Sequence, residues 1–241
     1  MQFYKERELV GIFIGALTLL SAFLPDLLFL FVLSLLSFGI GRELSKVLSV
    51  LEVSYFAPLV LLLSSYRLEL GIFAVLAFGF LIAYLSWSLD SLLKSVLILT
   101  YAGLLPSFLL LVKSQSEWEF LKLVFFAYTV DTASYYAGKL FGKRALAPRL
   151  SPKKTWEGLV GGTLAGVLFF LIINKPVLLA IPFVLVALLG DLFKSFIKRQ
   201  VGIKDFSQLL GEHGGLTDRF DSVLFIGIFW TIFFNIKIKG G

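Results

Sequence analysis

The chain has 241 residues, 58% of them hydrophobic and only 16% charged, with a formal net charge of +6. Soluble domains run near ~45–50% apolar and about 25% charged, so a water-soluble globular domain is excluded and a polytopic membrane protein is expected. The absence of cysteine excludes disulfides, thiolate metal sites and cysteine nucleophiles.

Apolar runs recur from end to end. They are continuous rather than alternating, which predicts helices and not a barrel. The first follows the short charged start MQFYKERE and lacks a small-residue cleavage pattern, so it is expected to stay as a span. In chain order the predicted spans are about 9–24, 27–41, 55–66, 68–88, 91–112, 117–138, 157–173, 177–195 and 218–236. The third is shorter than the ~20 residues that cross a bilayer; it is tilted, begins nearer Leu48, or is re-entrant, and an eight-span count would move one terminus across the membrane. With the N-terminus inside, only Arg67, Lys113, Lys122, Lys175, Lys237 and Lys239 of the 22 basic residues fall on the outer face. That asymmetry follows the positive-inside rule. The expected fold is therefore an all-α integral membrane protein, a bundle of about nine transmembrane helices with the N-terminus in and the C-terminus out.

Composition changes after about residue 130. Residues 1–116 read as a scaffold of about five helices, and 117–241 as a catalytic region with two polar cytoplasmic loops, 139–156 and 196–217. No internal repeat or low-complexity tract is evident.

The first polar block is DTASYYAGKLFGKRALAPRLSPKKTWEG, residues 131–158. Asp131 lies in or at the end of the sixth predicted span, where a carboxylate must be paired or face a polar cavity. Lys139, Lys143, Arg144, Arg149, Lys153 and Lys154 follow closely. As a simple anchor they would hold the inner face and grip anionic headgroups. SPKKTWEG adds a serine, a turn proline, two lysines and a helix-starting Thr-x-Glu, which suits phosphate binding beside a helix N-terminus.

The second block starts at Gly190-Asp191. Asp191, Lys194 and Lys198 share one side of a helix end. Lys204-Asp205, the turn sequence GEHGG and Asp218-Arg219-Phe220-Asp221 follow. Asp218 and Asp221 are three apart and share a face; with Asp191 they are candidates for an oxygen cage around Mg²⁺, which takes one or two protein carboxylates plus substrate phosphates. The simpler alternative is Asp–Lys and Asp–Arg pairs stitching helix ends together. His213 stands alone, so no zinc site is expected; phosphate binding or orientation suits it best. No Ser–His–Asp order or Walker-type loop is present. Clustered cations plus carboxylates at a membrane surface match phosphoryl or nucleotidyl transfer.

The stretch SFIKRQVGIKDFSQLLGEHGGLTDRFD, residues 195–221, resembles the signature of the phosphatidate cytidylyltransferases, also called CDP-diacylglycerol synthases. The residues carrying it are Ser195, Lys198, Arg199, Lys204, Asp205, His213, Gly214, Gly215, Asp218, Arg219 and Asp221. The block 131–158 is similar to a second shared block of the same family. Two positions depart: Gly211-Glu212 stands where the family commonly has Pro-Gly, and Lys194 where an acidic residue commonly precedes the serine.

The resemblance implies that CTP and phosphatidic acid give CDP-diacylglycerol and pyrophosphate with Mg²⁺, and a second cation as an option. Expected metal ligands are Asp218, Asp221 and Asp191, with Asp131 as a fourth candidate. Lys198, Arg199, Lys204 and Arg219 would take nucleotide phosphates with His213 nearby, and Ser151, Lys153, Lys154 and Thr155 would position CTP or the lipid phosphate. Ser195 and Asp205 complete the expected substrate-binding set. A homodimer in the inner (cytoplasmic) membrane, active on its cytoplasmic side and binding no nucleic acid, is expected. A CTP-dependent polyprenol kinase, an ether-lipid cytidylyltransferase and an ion-coupled transporter are the rivals; charge clustered at one membrane face and no inverted repeat argue against the last.

Overall fold

The computed structural model describes residues 14–50, 53–209 and 214–234. Helix α1 is seen over residues 14–21, and a turn with Pro25 leads into α2, Asp26–Val47. Helix α3, Phe56–Tyr66, has 11 residues, so at 1.5 Å per residue it covers roughly half of a ~30 Å hydrocarbon core. The third apolar run is short in the structure as in the sequence. Arg67, in extended backbone, alone separates α3 from α4, Leu68–Ser86.

Helix α5, Leu89–Leu99, starts on Ser88, whose hydroxyl accepts a bond from Ser91 N at 3.3 Å. It runs through a π-turn, Thr100–Leu104, into α6, Leu105–Gln115. Pro106 has no N–H to return to Ala102, and the shift to a wider turn absorbs its ring. Together these make one 27-residue rod that is far more buried than the other long helices. Gly103 lets α3 close on it, since a Cβ there would stand 2.8 Å from the Ala57 carbonyl.

Helix α7, Glu117–Phe141, is capped by Ser116 and extends beyond the predicted 117–138. The expected polar loop 139–156 contains a small antiparallel hairpin, β1 (Ala145–Ala147) and β2 (Ser151–Thr155), with Ala145 opposite Thr155. Pro148 and Pro152 bar a helix there, and extended backbone is what a pre-proline residue favours. Thr155 caps α8, Trp156–Ile172, accepting from Gly158 N at 3.1 Å. A 3₁₀ turn, Val177–Leu179, leads into α9, Ala180–Gln200, and α10 is Thr217–Phe233.

The described residues are thus predominantly helical. Among the described residues, four helices are long and apolar enough to cross a bilayer: α2, α4, the α5–α6 rod, and α9 with its 3₁₀ lead-in. Helices α3 and α8 are shorter apolar helices.

Two features hold the second half together. Small residues let α7 and α8 touch backbone to backbone: a Cβ on Gly158 would lie 2.8 Å from the Ser134 carbonyl, and one on Gly138 would lie 3.1 Å from Thr155 Oγ1. This is the close approach that apolar solvents reward, because packing rather than hydrophobicity drives helices together in lipid. An aromatic core from α7, α8, α9 and α10 joins Phe126 to Phe170 (4.9 Å between centroids) and Phe183 to Trp230 (5.7 Å).

Glu119 closes that core, accepting from Lys122 (2.8 Å) and Trp230 Nε1 (3.0 Å) and pairing with Lys175 (3.2 Å). Lys122 and Lys175, assigned from the sequence to one membrane face, therefore meet at one carboxylate. Asp131 lies roughly 18 Å further along α7 at 1.5 Å per residue, so the polar site is separated from this layer by more than half of a hydrocarbon core.

A Gly158→Ala change should force α7 and α8 apart, at about 1–3 kcal/mol for an overpacked contact. The expected result is a lower thermal unfolding midpoint in detergent, measured against the unaltered protein.

Candidate active site

The two polar blocks meet. A cavity of about 880 Å³ is lined by Asp131 and Ser134 of α7, Ser151, Lys153, Lys154 and Thr155 of the hairpin, Asp191 and Lys194 of α9, and Asp218, Arg219, Asp221 and Ser222 of α10. Ile14, Leu159, Val184 and Leu188 supply an apolar wall. Asp131 sits mid-helix with its side chain open to the cavity, which satisfies the requirement that a carboxylate at this depth face a polar space.

Charge pairing organises the cavity. Lys194 Nζ lies 2.8 Å from Asp191 Oδ1 and 2.8 Å from Asp221 Oδ2, so one ammonium bridges α9 and α10. It also donates to the Asp218 carbonyl at 3.0 Å. Lys154 of the hairpin pairs with Asp191 from the other side. Gly190 makes the bridge possible: a Cβ there would stand 2.8 Å from the Asp221 carbonyl. The Asp–Lys stitching that the sequence left open is therefore present, inside the cavity rather than on the surface. Lys194, the departure from the family pattern, is its centre.

Asp218 is differently employed. Its Oδ1 takes Lys198 at 2.7 Å, and its Oδ2 accepts from Phe206 N (3.0 Å) and Gly215 N (3.1 Å). Gly214 has φ +77°, and a Cβ there would meet Asp218 Oδ2 at 2.8 Å, so the first glycine of the His-Gly-Gly turn is required twice over.

Ser195, Lys198, Arg199, Lys204 and Asp205 lie outside the cavity lining. Lys198 acts through Asp218, Arg199 Nε donates to the Leu150 carbonyl at 3.2 Å, and Lys204 and Asp205 are exposed. His213, with Gly211 and Glu212, falls outside the described residues.

Among the described residues, no three His, Asp or Glu side chains converge into a cation cage by themselves. The donor set nevertheless fits a hard cation of the two-carboxylate kind. Asp191 and Asp221 already share one positive charge, and Asp221 Oδ2, fully buried, is met by that ammonium without an aligned hydrogen bond. Mg²⁺ bound there would complete its shell with substrate phosphate oxygens. Asp218 fits less well, because both its oxygens already have partners.

The sequence profile of the cytidylyltransferase family matches residues 5–237. The chain belongs to the cytidylyltransferase family. It is 45% identical to the phosphatidate cytidylyltransferase of Aquifex aeolicus (strain VF5), over 99% of this chain and 93% of that one. It is 32% identical to the phosphatidate cytidylyltransferase of Brucella suis biovar 1 (strain 1330), over 91% and 89% of the two chains. A 121-residue match to that of Haemophilus influenzae, 38% identical, covers 44% of this chain.

Two residues of this cytidylyltransferase escaped the sequence reading. Glu43 of α2 is 6% exposed and accepts bonds from the start of α10. Its signal was a lone acid beside Arg42 and Lys46, indistinguishable there from an interfacial charge. Tyr101, in the π-turn, stacks on Phe193 at 5.9 Å with its hydroxyl buried and unbonded. Nothing in the local sequence marks it.

Lys194→Met should leave two largely buried carboxylates without their shared cation, at about 3–5 kcal/mol for a broken buried pair. A marked drop in the thermal unfolding midpoint is expected. Adding Asp221→Asn should recover part of that loss, measured as a double-mutant coupling.

Proposed function

We propose that the protein is a phosphatidate cytidylyltransferase, transferring CMP from CTP to phosphatidic acid to give CDP-diacylglycerol and pyrophosphate. The observation that carries this is the meeting of both polar blocks in one cavity, in a chain 45% identical along its length to an enzyme of that name.

The chemistry suits the residues. A phosphatidate oxygen bonds to the α-phosphorus of CTP; the α–β bridging P–O bond breaks, and its electron pair leaves with pyrophosphate. The lipid phosphate is already anionic near neutral pH, so no strong base is needed. The protein's task is to bring two polyanions together in line. Lys153, Lys154, Arg219, Ser151 and Thr155 are placed to hold phosphates at the cavity, and Thr155 does so at the N-terminus of α8. The apolar wall of Ile14, Val184 and Leu188 offers the lipid substrate a surface of its own kind beside the charged one. Lys198 and Asp218 shape the turn that delivers Arg219 and Asp221; Arg199 and Lys204 would take nucleotide phosphates with His213 nearby, and Ser195 and Asp205 complete the substrate-binding set. Asp191 and Asp221, then Asp131, are the residues to hold Mg²⁺; Asp218 joins them only by exchanging Lys198. When bound, Mg²⁺ neutralises charge on the transferring phosphorus and the departing oxygens.

The reading extends to topology. Nine spans with the N-terminus inside would put the polar loops 139–156 and 196–217 at the cytoplasmic surface of the inner membrane, where CTP is. A homodimer completes the proposal, to be read from the particle mass in detergent.

Protein purified in detergent, incubated with radiolabelled CTP, phosphatidate and Mg²⁺, should yield labelled lipid and free pyrophosphate, and none after chelation of the metal. Label appearing instead in a phosphorylated polyprenol would move the assignment to a lipid kinase. Asp221→Asn should abolish lipid labelling while the protein remains folded; near-normal turnover would remove Asp221 from the metal site.

A further inference from the structure

Glu43 is an expensive residue where it stands. It lies four residues before the end of α2, where the helix dipole disfavours a negative charge, and it is 6% exposed. Four donors compensate it, all from the far end of the chain. Oε1 takes Ser207 Oγ at 2.6 Å and Leu216 N at 2.9 Å; Oε2 takes Thr217 N at 2.8 Å and Thr217 Oγ1 at 2.7 Å. Gly215 abuts the same carboxylate, leaving no room for a side chain.

The first N–H groups of a helix have no partner within it, and Leu216, at the N-cap of α10, has no side-chain acceptor to offer. Glu43 is therefore the cap of α10, delivered from another helix more than 170 residues earlier in the chain. One turn beyond that cap is Asp221, buried and facing Lys194. Asp218, two residues beyond the N-cap, gathers Gly215 N and Phe206 N on its own carboxylate. The start of α10 is thus clamped between two carboxylates, and its rotation decides where Asp221 points.

We propose that Glu43 is a positioning residue for nucleotidyl transfer: it fixes the first turn of α10, and through it the Asp221–Lys194–Asp191 constellation. This rests on the phosphatidate cytidylyltransferase reading. Glu43 is not among the residues that line the cavity. It acts as outer-sphere carboxylates do, by holding the groups that meet substrate and metal.

The test uses the full chain in detergent. Glu43→Gln keeps the shape and removes one acceptor, turning an amide N–H toward backbone donors. The expected result is a kcat reduced by about tenfold or more, as for other outer-sphere losses, with the KM for phosphatidate unchanged and a higher Mg²⁺ concentration for half-maximal rate. Hydrogen exchange should quicken at amides 214–218 and stay unchanged along α6. Thr217→Val, which deletes one donor, should shift both readouts the same way by less.

An unaltered kcat with unaltered exchange at 214–218 would overturn the proposal. So would exchange that quickens throughout the molecule, which would make Glu43 a general support of the fold. If Glu43→Gln does not fold, Thr217→Val and Ser207→Ala carry the same readouts, and normal kcat in both would overturn it. Unaltered protein that forms no CDP-lipid would instead defeat the functional reading, while the exchange measurement would still report on the clamp.

Discussion

Everything at the site depends on one ammonium group. Lys194 lies between Asp191 and Asp221, 2.8 Å from each, with its side chain largely buried between α9 and α10. An unpaired carboxylate there would lose its hydration without compensation. With Lys154 on the far side of Asp191, two anions and two cations nearly cancel. That balance keeps a polar cavity stable inside a membrane protein.

The pairing also sets the geometry of the helices. Gly190 lets α9 and α10 approach until a side chain would collide with the Asp221 carbonyl, and Gly158 does the same for α8 against α7. The walls of the cavity are therefore fixed by backbone contact, not by adaptable side chains. The aromatic core around Trp230 and the Glu119 cluster hold the opposite end, so the open space is confined to one end of the four helices. Helix α2 reaches across to the start of α10 through Glu43, and the first half of the chain is part of the site's support.

Such a cavity suits two substrates of opposite habit. Its lysines, arginine and hydroxyls offer phosphate ligands, and its apolar wall offers a place for acyl chains. A reaction between a soluble triphosphate and a membrane phosphate needs both surfaces to adjoin. Neither needs a strong base, which accords with a chain containing a single histidine.

The sequence by itself determined the helical membrane class, most helix positions, the break at Arg67, and the two polar blocks, because span length and charge patterning are local properties. The signature around Lys198 and Asp218 was equally legible, since its residues are close in the chain. Only the tertiary structure decided which carboxylates face the cavity and which are consumed: Asp191 and Asp221 share Lys194, whereas Asp218 spends its oxygens on Lys198 and two backbone amides. It alone revealed the hairpin within the polar loop, the unbonded hydroxyl of Tyr101, and Glu43 capping a helix more than 170 residues away. The reason is physical. Hydrogen bonds and ion pairs across helices depend on rotation and separation in space, and a one-dimensional pattern of apolar and charged residues carries no record of which partner each buried polar atom will find.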